Sequence, residues 1–243
     1  MRDSISKSNI SKFNKNFKSN PTNKISRNAL TRSQINNIAM DWDAFRMVDH
    51  TYSDVISTEM KKVTNQKASG RCWGFAGLNL MRISLAEKYN LGDFEFSQNY
   101  FMFFDKLEKS NYFLENILQT LEESYDSRLM MHLLHSPVQD GGQWDMFVNL
   151  IEKYGVVPQS VMAESFQSSQ SRMMNQFLTR KLREFAWTLR GLNDKGKKLS
   201  DLRKEKEKMM SVIYSMLCVC LGNPPEKFDW QTRDKKNKFI RLT

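Results

Sequence analysis

Cysteine is scarce in this sequence. Only three occur in 243 residues, two of them in Cys218-Val-Cys220, which excludes a disulfide framework and makes a reducing cytoplasm the expected location. Long apolar runs are missing too. No stretch reaches the ~18 uninterrupted apolar residues of a membrane-spanning helix, and the N-terminus lacks the apolar core of a secretory signal. Histidine is limited to His50, His132 and His135, and no internal repeat is visible. Acids are nearly absent at the start, where Met1 to Ile35 carry eight basic side chains against Asp3 alone, +7 of the chain's net +10. Such a segment suits nucleic acid, an acidic membrane surface or organelle targeting; a solvated stretch is the plainest reading.

What is present is the composition of a folded protein. Hydrophobic residues make up 40% and aromatics 12%. A chain of this length forms one large domain or two small ones and buries roughly 70 to 75 per cent of its unfolded surface. The stretch from Thr64 to Trp73 stands out. Asn65, Ser69 and Gly70 give it turn and N-cap chemistry, and the apolar run from Gly74 to Ala86 that follows predicts a helix buried nearly all round. Cys72 therefore sits at a helix mouth, where unpaired amides and the positive end of the dipole favour thiolate over thiol.

Elsewhere the pattern is mostly helical. Met1 to Pro21 is polar, low in complexity and weakly periodic, and Thr31 is placed to cap a short helix over Arg32 to Met40. Asp41 to Val63 resists assignment. The Cys72 helix should stop near Asn90 and Gly92. Helices are predicted over Ser97 to Leu107, Asn111 to Thr120 and Ser127 to Leu134. In Asp140-Gly-Gly-Gln-Trp-Asp-Met146, two glycines before a helix let the backbone pass close to another group, and Gly155 and Pro158 end that helix. A long amphipathic helix covers Ser171 to Leu192, with Met174, Phe177, Leu178, Leu182, Phe185, Trp187 and Leu189 among its apolar positions; another covers Leu199 to Leu221. The basic, aromatic-containing stretch from Lys227 onward reads as extended.

Cys72 leads the candidates for chemistry. Arg71 adds a cation beside it, and Gln66, six residues upstream, is placed to fold back and aim its amide at an oxyanion formed at Cys72. An isolated cysteine at a helix start reads more simply as an inert core residue. The spacing of Gln66, Gly70, Cys72 and Trp73 favours the nucleophile.

Those residues carry a resemblance. Gln66-x-x-x-Gly70-x-Cys72-Trp73-x-x-Ala76-Gly77 resembles the active-site signature of papain-like cysteine peptidases, and Thr64 to Trp73 as a whole is similar to the bleomycin hydrolase and aminopeptidase C branch. Asp93 to Tyr100, Asp140 to Met146 with Glu152 to Pro158, and Leu221 to Pro225 agree in the same order. The resemblance implies that Cys72 is the nucleophile and Gln66 the oxyanion-hole side chain. It implies that Gly141 and Gly142 line the path of the substrate backbone, with Trp73 beside them. It further implies removal of N-terminal residues from peptides, no metal or organic cofactor, and a hexameric ring, some members of the branch also binding nucleic acid.

One part of the family pattern has no counterpart in this sequence. Such peptidases need a His to carry the proton and an Asn to orient it, both well over a hundred residues beyond the nucleophile. None of the three histidines sits in a segment resembling that motif, and His132 and His135 read as ordinary helix histidines. The expectation is the N-terminal half of such an aminopeptidase, inactive or weak alone unless a second chain supplies His and Asn. Its fold class is α+β and mainly α-helical, a papain-like helical domain with helical insertions. Residues 1–40 form a basic segment, 41–160 the nucleophile-bearing domain, and 161–243 an insertion and the start of the sheet-rich half. The alternatives are a non-catalytic interaction subunit and, last, a weak nucleic-acid binder using Lys12 to Arg32 and Lys195 to Lys208; no membrane partner is expected. In the latter stretch Asp201, Glu205 and Glu207 make a solvated helix face the better reading.

Overall fold

The computed structural model describes residues 5–48, 53 and 63–242. They belong to two compact units, residues 1–56 and 57–243. In the first, the polar N-terminal stretch is helical: α1 (Lys7–Ser19) and α2 (Pro21–Leu30). Local caps explain this. The Ser6 side chain accepts from the Asn9 amide, the Asn20 side chain accepts from the Thr22 amide, and Pro21 supplies a preset first helical position. Thr31 does not start a helix over Arg32 to Met40. It closes α2, its amide and hydroxyl both donating to the Arg27 carbonyl at 3.0 and 2.8 Å. Only α3 (Ile35–Ala39) remains of the expected helix, followed by α4 (Trp42–Arg46), which Asp41 caps. No residue of these four helices is buried. His50 lies outside the described residues.

The second unit is mainly helical. It comprises α5 (Cys72–Tyr89), α6 (Gln98–Gln119), α7 (Arg128–His135), α8 (Trp144–Tyr154), α9 (Phe166–Ser169), α10 (Arg172–Asp194) and α11 (Leu199–Leu221). A hairpin follows, β1 (Trp230–Arg233) antiparallel to β2 (Phe239–Leu242), with Trp230 opposite Leu242. Among the described residues it is the single sheet, so the architecture is the mainly helical α+β one expected.

Helix α6 replaces two expected helices. Glu108, Lys109 and Ser110, which separate the two expected helices, do not interrupt it: Lys109 pairs with Asp105 one turn back and Ser110 Oγ donates to the Lys106 carbonyl at 2.7 Å, so the helix continues. On one side α6 packs with α10 and α11 into an aliphatic and aromatic core that includes Phe103, Leu114, Ile117, Leu178, Leu182, Leu189, Leu202, Ile213 and Leu217. Phe177 and Trp187 of α10 are exposed instead, and Trp187 tilts against Tyr125.

On its other side α6 meets α5 and α8 in a second cluster with Leu78, Ala86, Phe94, Phe96, Phe101, Phe147 and Leu150. Two glycines make this contact. A Cβ on Gly74 would lie 2.4 Å from the Phe101 ring, and one on Gly77 would lie 2.5 Å from the Phe147 ring. The rings therefore rest on the α5 backbone. Helix α5 is not buried nearly all round, because both rings press from one side. Ala76, Leu80 and Ser84 are exposed on the other, Leu80 by 59%. The helix ends as expected, with Asn90 left-handed at φ 52°.

Candidate active site

The segment before Cys72 is a tight loop tied at several points. Asn65 Oδ1 accepts from the Lys67 amide at 2.8 Å, Lys67 is left-handed at φ 51°, and Ser69 Oγ donates to the Gln66 carbonyl at 2.6 Å. The Ala68 amide donates to the Ser169 carbonyl and its carbonyl accepts from the Ser171 amide, joining the loop to the start of α10. Cys72 emerges as the first residue of α5, exposed. The Arg71 side chain, at the N-cap position, makes no capping hydrogen bond to this helix end.

Arg71 serves the loop and not the thiol. Its buried guanidinium donates from Nη1 and Nη2 to Glu164 at 2.8 and 2.7 Å and from Nε to Ser69 Oγ at 2.9 Å, and stacks 5.0 Å from the Phe75 ring centroid. A bidentate carboxylate neutralises it, so the expectation of a cation activating Cys72 is corrected: this cation anchors the turn.

The glycine pair lies against this loop. The Gly141 amide donates to the Gly70 carbonyl at 3.3 Å, and Gly141 is left-handed at φ 84°. A Cβ on Gly142 would lie 2.7 Å from the Trp73 indole, and one on Gly70 would lie 2.1 Å from the Asp140 side chain. Folding thus brings Gly70, Cys72, Trp73, Gly141 and Gly142 together across some seventy residues of sequence. Gln66 starts the same turn; it is half-buried, its Oε1 has no hydrogen-bond partner, and its amide nitrogen donates to no group among the described residues. His132 and His135 are exposed on α7, and Cys72 has no hydrogen bond to either.

Two buried lysines that sequence reasoning missed hold the glycine loop, one of them paired with the buried Asp105. Lys106, 1% exposed, donates to Asp140 Oδ1 at 2.9 Å and to the Val138 carbonyl at 3.2 Å. Lys109 donates to the Gly141 carbonyl at 2.7 Å, pairs with Asp105 at 2.8 Å, and sits 5.2 Å from the Trp73 ring. Burial pushes the Asp105 carboxyl up and the Lys109 ammonium down; their mutual attraction opposes both shifts without cancelling them. The available signal was the spacing of Asp105 and Lys109, one turn apart on an otherwise aromatic helix face.

Residues 4–242 match the model of the Peptidase C1-like family. The chain belongs to the Peptidase C1-like family. The match begins at residue 4, so the basic N-terminal segment lies within the family's shared region. This Peptidase C1-like chain is 40% identical to mouse bleomycin hydrolase over 235 residues, 96% of its own length and 52% of the relative's. It is 42% identical to aminopeptidase C of Listeria monocytogenes over 239 residues, covering 98% of this chain and 53% of that one. A yeast relative, "Cysteine proteinase 1, mitochondrial", is 38% identical over 246 residues, 98% of this chain and 51% of that one. The crystal structure of PepW from Lactobacillus rhamnosis HN001 superposes with a TM-score of 0.92 at 42% identity, over all of this chain and 54% of that one. The Peptidase C1-like chain therefore spans about half the length of these relatives. Among its described residues no helix is long and apolar enough to cross a membrane.

Proposed function

We propose that the chain is the nucleophile-bearing half of a cysteine-type aminopeptidase of the bleomycin hydrolase kind, acting in the cytoplasm on peptide N-termini. The observation that carries this reading is an exposed Cys72 at an uncapped helix start, beside a glycine pair fitted against Trp73 and Gly70. Segment 41–160 supplies nucleophile and glycine loop, and 161–243 a helical insertion and the start of the sheet-rich half.

In this reading the substrate lies extended along Gly141 and Gly142. The Gly142 amide and carbonyl pair with no other backbone group among the described residues, which leaves both for a peptide strand. Cys72 Sγ, as thiolate, forms a bond to the carbonyl carbon of the first peptide bond. The resulting oxyanion takes hydrogen bonds from the Cys72 amide and from the uncommitted Gln66 Nε2. Collapse breaks the C–N bond and the amine leaves with a proton from a histidine. Water, giving its proton back to that histidine, then cleaves the thioester.

The histidine and its orienting Asn come from sequence beyond this chain or from a second chain, in a hexameric ring. Cys72, Ala76, Leu80 and Ile83 recur at helical spacing on α5, and Ala76 and Leu80 are exposed; this stripe suits cover by a sheet-rich half. The same stripe favours a second reading, a non-catalytic interaction subunit. Nucleic-acid binding through α11 ranks last, since Lys206 pairs with Glu115 and Lys208 with Glu205.

Hydrolysis of an aminoacyl-coumarin substrate, and iodoacetamide alkylation of Cys72 at pH 6 located by peptide mapping, separate these readings. Each is measured with and without the chain carrying the family's His and Asn segments. Hydrolysis appearing only with that chain and lost in Cys72→Ala, with alkylation accelerated about 10-fold or more, is the expected result. Full hydrolysis by this chain alone would overturn the missing-base reading, and none in either case would leave the interaction subunit.

A further inference from the structure

An open groove of about 880 Å³ lies between the Cys72 loop, the 136–140 loop and the first three turns of α10. Ser69 and Gly70 form part of its wall, so it starts two residues from the nucleophile; Asp140, next to the glycine pair, forms another part. Its charge is one-sided. Lys67, Arg172, Arg180 and Arg183 line it against the single carboxylate of Asp140, which is already bonded to Lys106 and Asn175. Arg183 is held in place by the Leu134 and His135 carbonyls at 2.7 and 2.9 Å and has no carboxylate partner among the described residues. Lys67, Arg172 and Arg180 have no acidic partner among the described residues.

The cations of α10 form a row. Arg172, Arg180 and Arg183 stand at i, i+8 and i+11, on one helix face and over a length of ~16 Å at 1.5 Å per residue. That is the reach of about five residues of extended peptide. Cations spaced along a groove whose wall includes Gly70, two residues before Cys72, and Asp140, next to the glycine pair, would neutralise carboxylates spaced along a bound chain. We infer that this groove selects peptide substrates carrying acidic side chains close to the bond attacked by Cys72. The inference rests on the peptidase reading and adds a substrate class to it.

Two epoxysuccinyl reagents, one bearing triglutamate and the other triglutamine, test it on the full chain. Each carries the same electrophile, whose carbon–oxygen bond opens as the Cys72 sulfur bonds to carbon. Labelling at Cys72 is followed by peptide mass, and the ratio of the two rates is read within each protein, so that general losses of reactivity divide out. In the unaltered chain at low ionic strength the acidic reagent should react about 10-fold faster, and the advantage should collapse in 0.5 M salt. In Arg172→Glu with Arg180→Glu the ratio should fall below 1, a melting curve checking the fold. The salt series needs no variant and stands even if the double variant unfolds. Equal rates for both reagents in the unaltered chain would overturn the groove inference and leave the peptidase reading intact. No labelling of Cys72 by either reagent, even with the chain carrying the family's His and Asn segments added, would overturn the peptidase reading and the inference with it. An oligonucleotide of equal charge protecting Cys72 better than free triglutamate would assign the groove to nucleic acid and overturn it as well.

Discussion

Toward α10 and α11, helix α6 presents Phe103, Leu114 and Ile117, and the partner side chains Leu178, Leu182, Leu189 and Ile213 fill the space between the helices. Toward α5 and the glycine loop it presents Phe101, Asp105 and Lys109, and what they meet is the backbone of Gly74, the indole of Trp73 and the carbonyl of Gly141. The first side gains stability from apolar area, about 1.5 to 3 kcal/mol for each large side chain fully buried. The second contains glycines and desolvated charges, neither of which is a stabilising choice in a helix or a core. What it gains is position. One helix thus separates a face that holds the unit together from a face that sets where Cys72, Trp73, Gly141 and Gly142 stand.

The sharpest way to break that contrast is to split the buried pair. Asp105→Leu leaves Lys109 without its carboxylate and should cost about 3 to 5 kcal/mol, whereas Asp105→Leu with Lys109→Leu should return to within about 1 kcal/mol of the parent or exceed it. Urea titration reads the stability. Faster amide exchange at Gly141, whose amide is bonded to the Gly70 carbonyl, would show in the double variant that the pair positions the loop. Unchanged exchange would place the loop's support elsewhere.

Next in size is a comparison of filling with emptying. Ile213→Ala, on the apolar side, should cost about 2 to 5 kcal/mol by loss of contacts and a cavity. Gly77→Ala, on the site side, should cost about 1 to 3 kcal/mol by forcing the Phe147 ring away, less up to ~1 kcal/mol gained in helix propensity. Adding Phe147→Leu to Gly77→Ala should recover part of the loss. If it adds a further full loss, close approach of ring to backbone is not the reason for the glycine.

The smallest effect is on acid stability. Burial raises Glu108, but hydrogen bonds from Lys153 and Tyr154 prevail and hold it below the usual carboxylate range; the hydrogen bond from Lys206 does the same for Glu115. A depressed folded value means stability that is present above about pH 4.3 and lost as the pH falls through the folded value. Asp105 has the opposite sign: its raised value contributes stability at low pH that is lost as pH rises through it. Glu108→Gln with Glu115→Gln should therefore flatten the decline of melting temperature below pH 4.5, by under ~1 kcal/mol per pair because solvent screens both. An unchanged acid limb would remove these pairs from the account.

Much of the scaffold could be read from the chain in order. Ser97 and Ser127 cap the helices they precede, Asn90 ends α5, and Gly222 ends α11, because each device acts within a few residues. Thr31 misled because a hydroxyl near two helices serves either end, and only its bond to the Arg27 carbonyl decides which. The expected split of α6 into two helices failed for a different reason. Lys106 and Lys109 look solvated in sequence, and their partners in the glycine loop lie some thirty residues away. Arg71 read as an activator by adjacency until Glu164, ninety-three residues on, claimed it.

The thiol's place at a helix mouth, the Gln66 to Trp73 spacing and the paired glycines were written in the order of residues. Local backbone chemistry and short spacings do not depend on what packs around them. Only the tertiary structure decided that Gly142 rests on Trp73, that Arg71 is neutralised, that buried lysines hold the glycine loop, and that α5 keeps an exposed stripe beside Cys72. Each of those depends on which distant group fills the space next to a side chain, and for a charge or a glycine that neighbour determines its role.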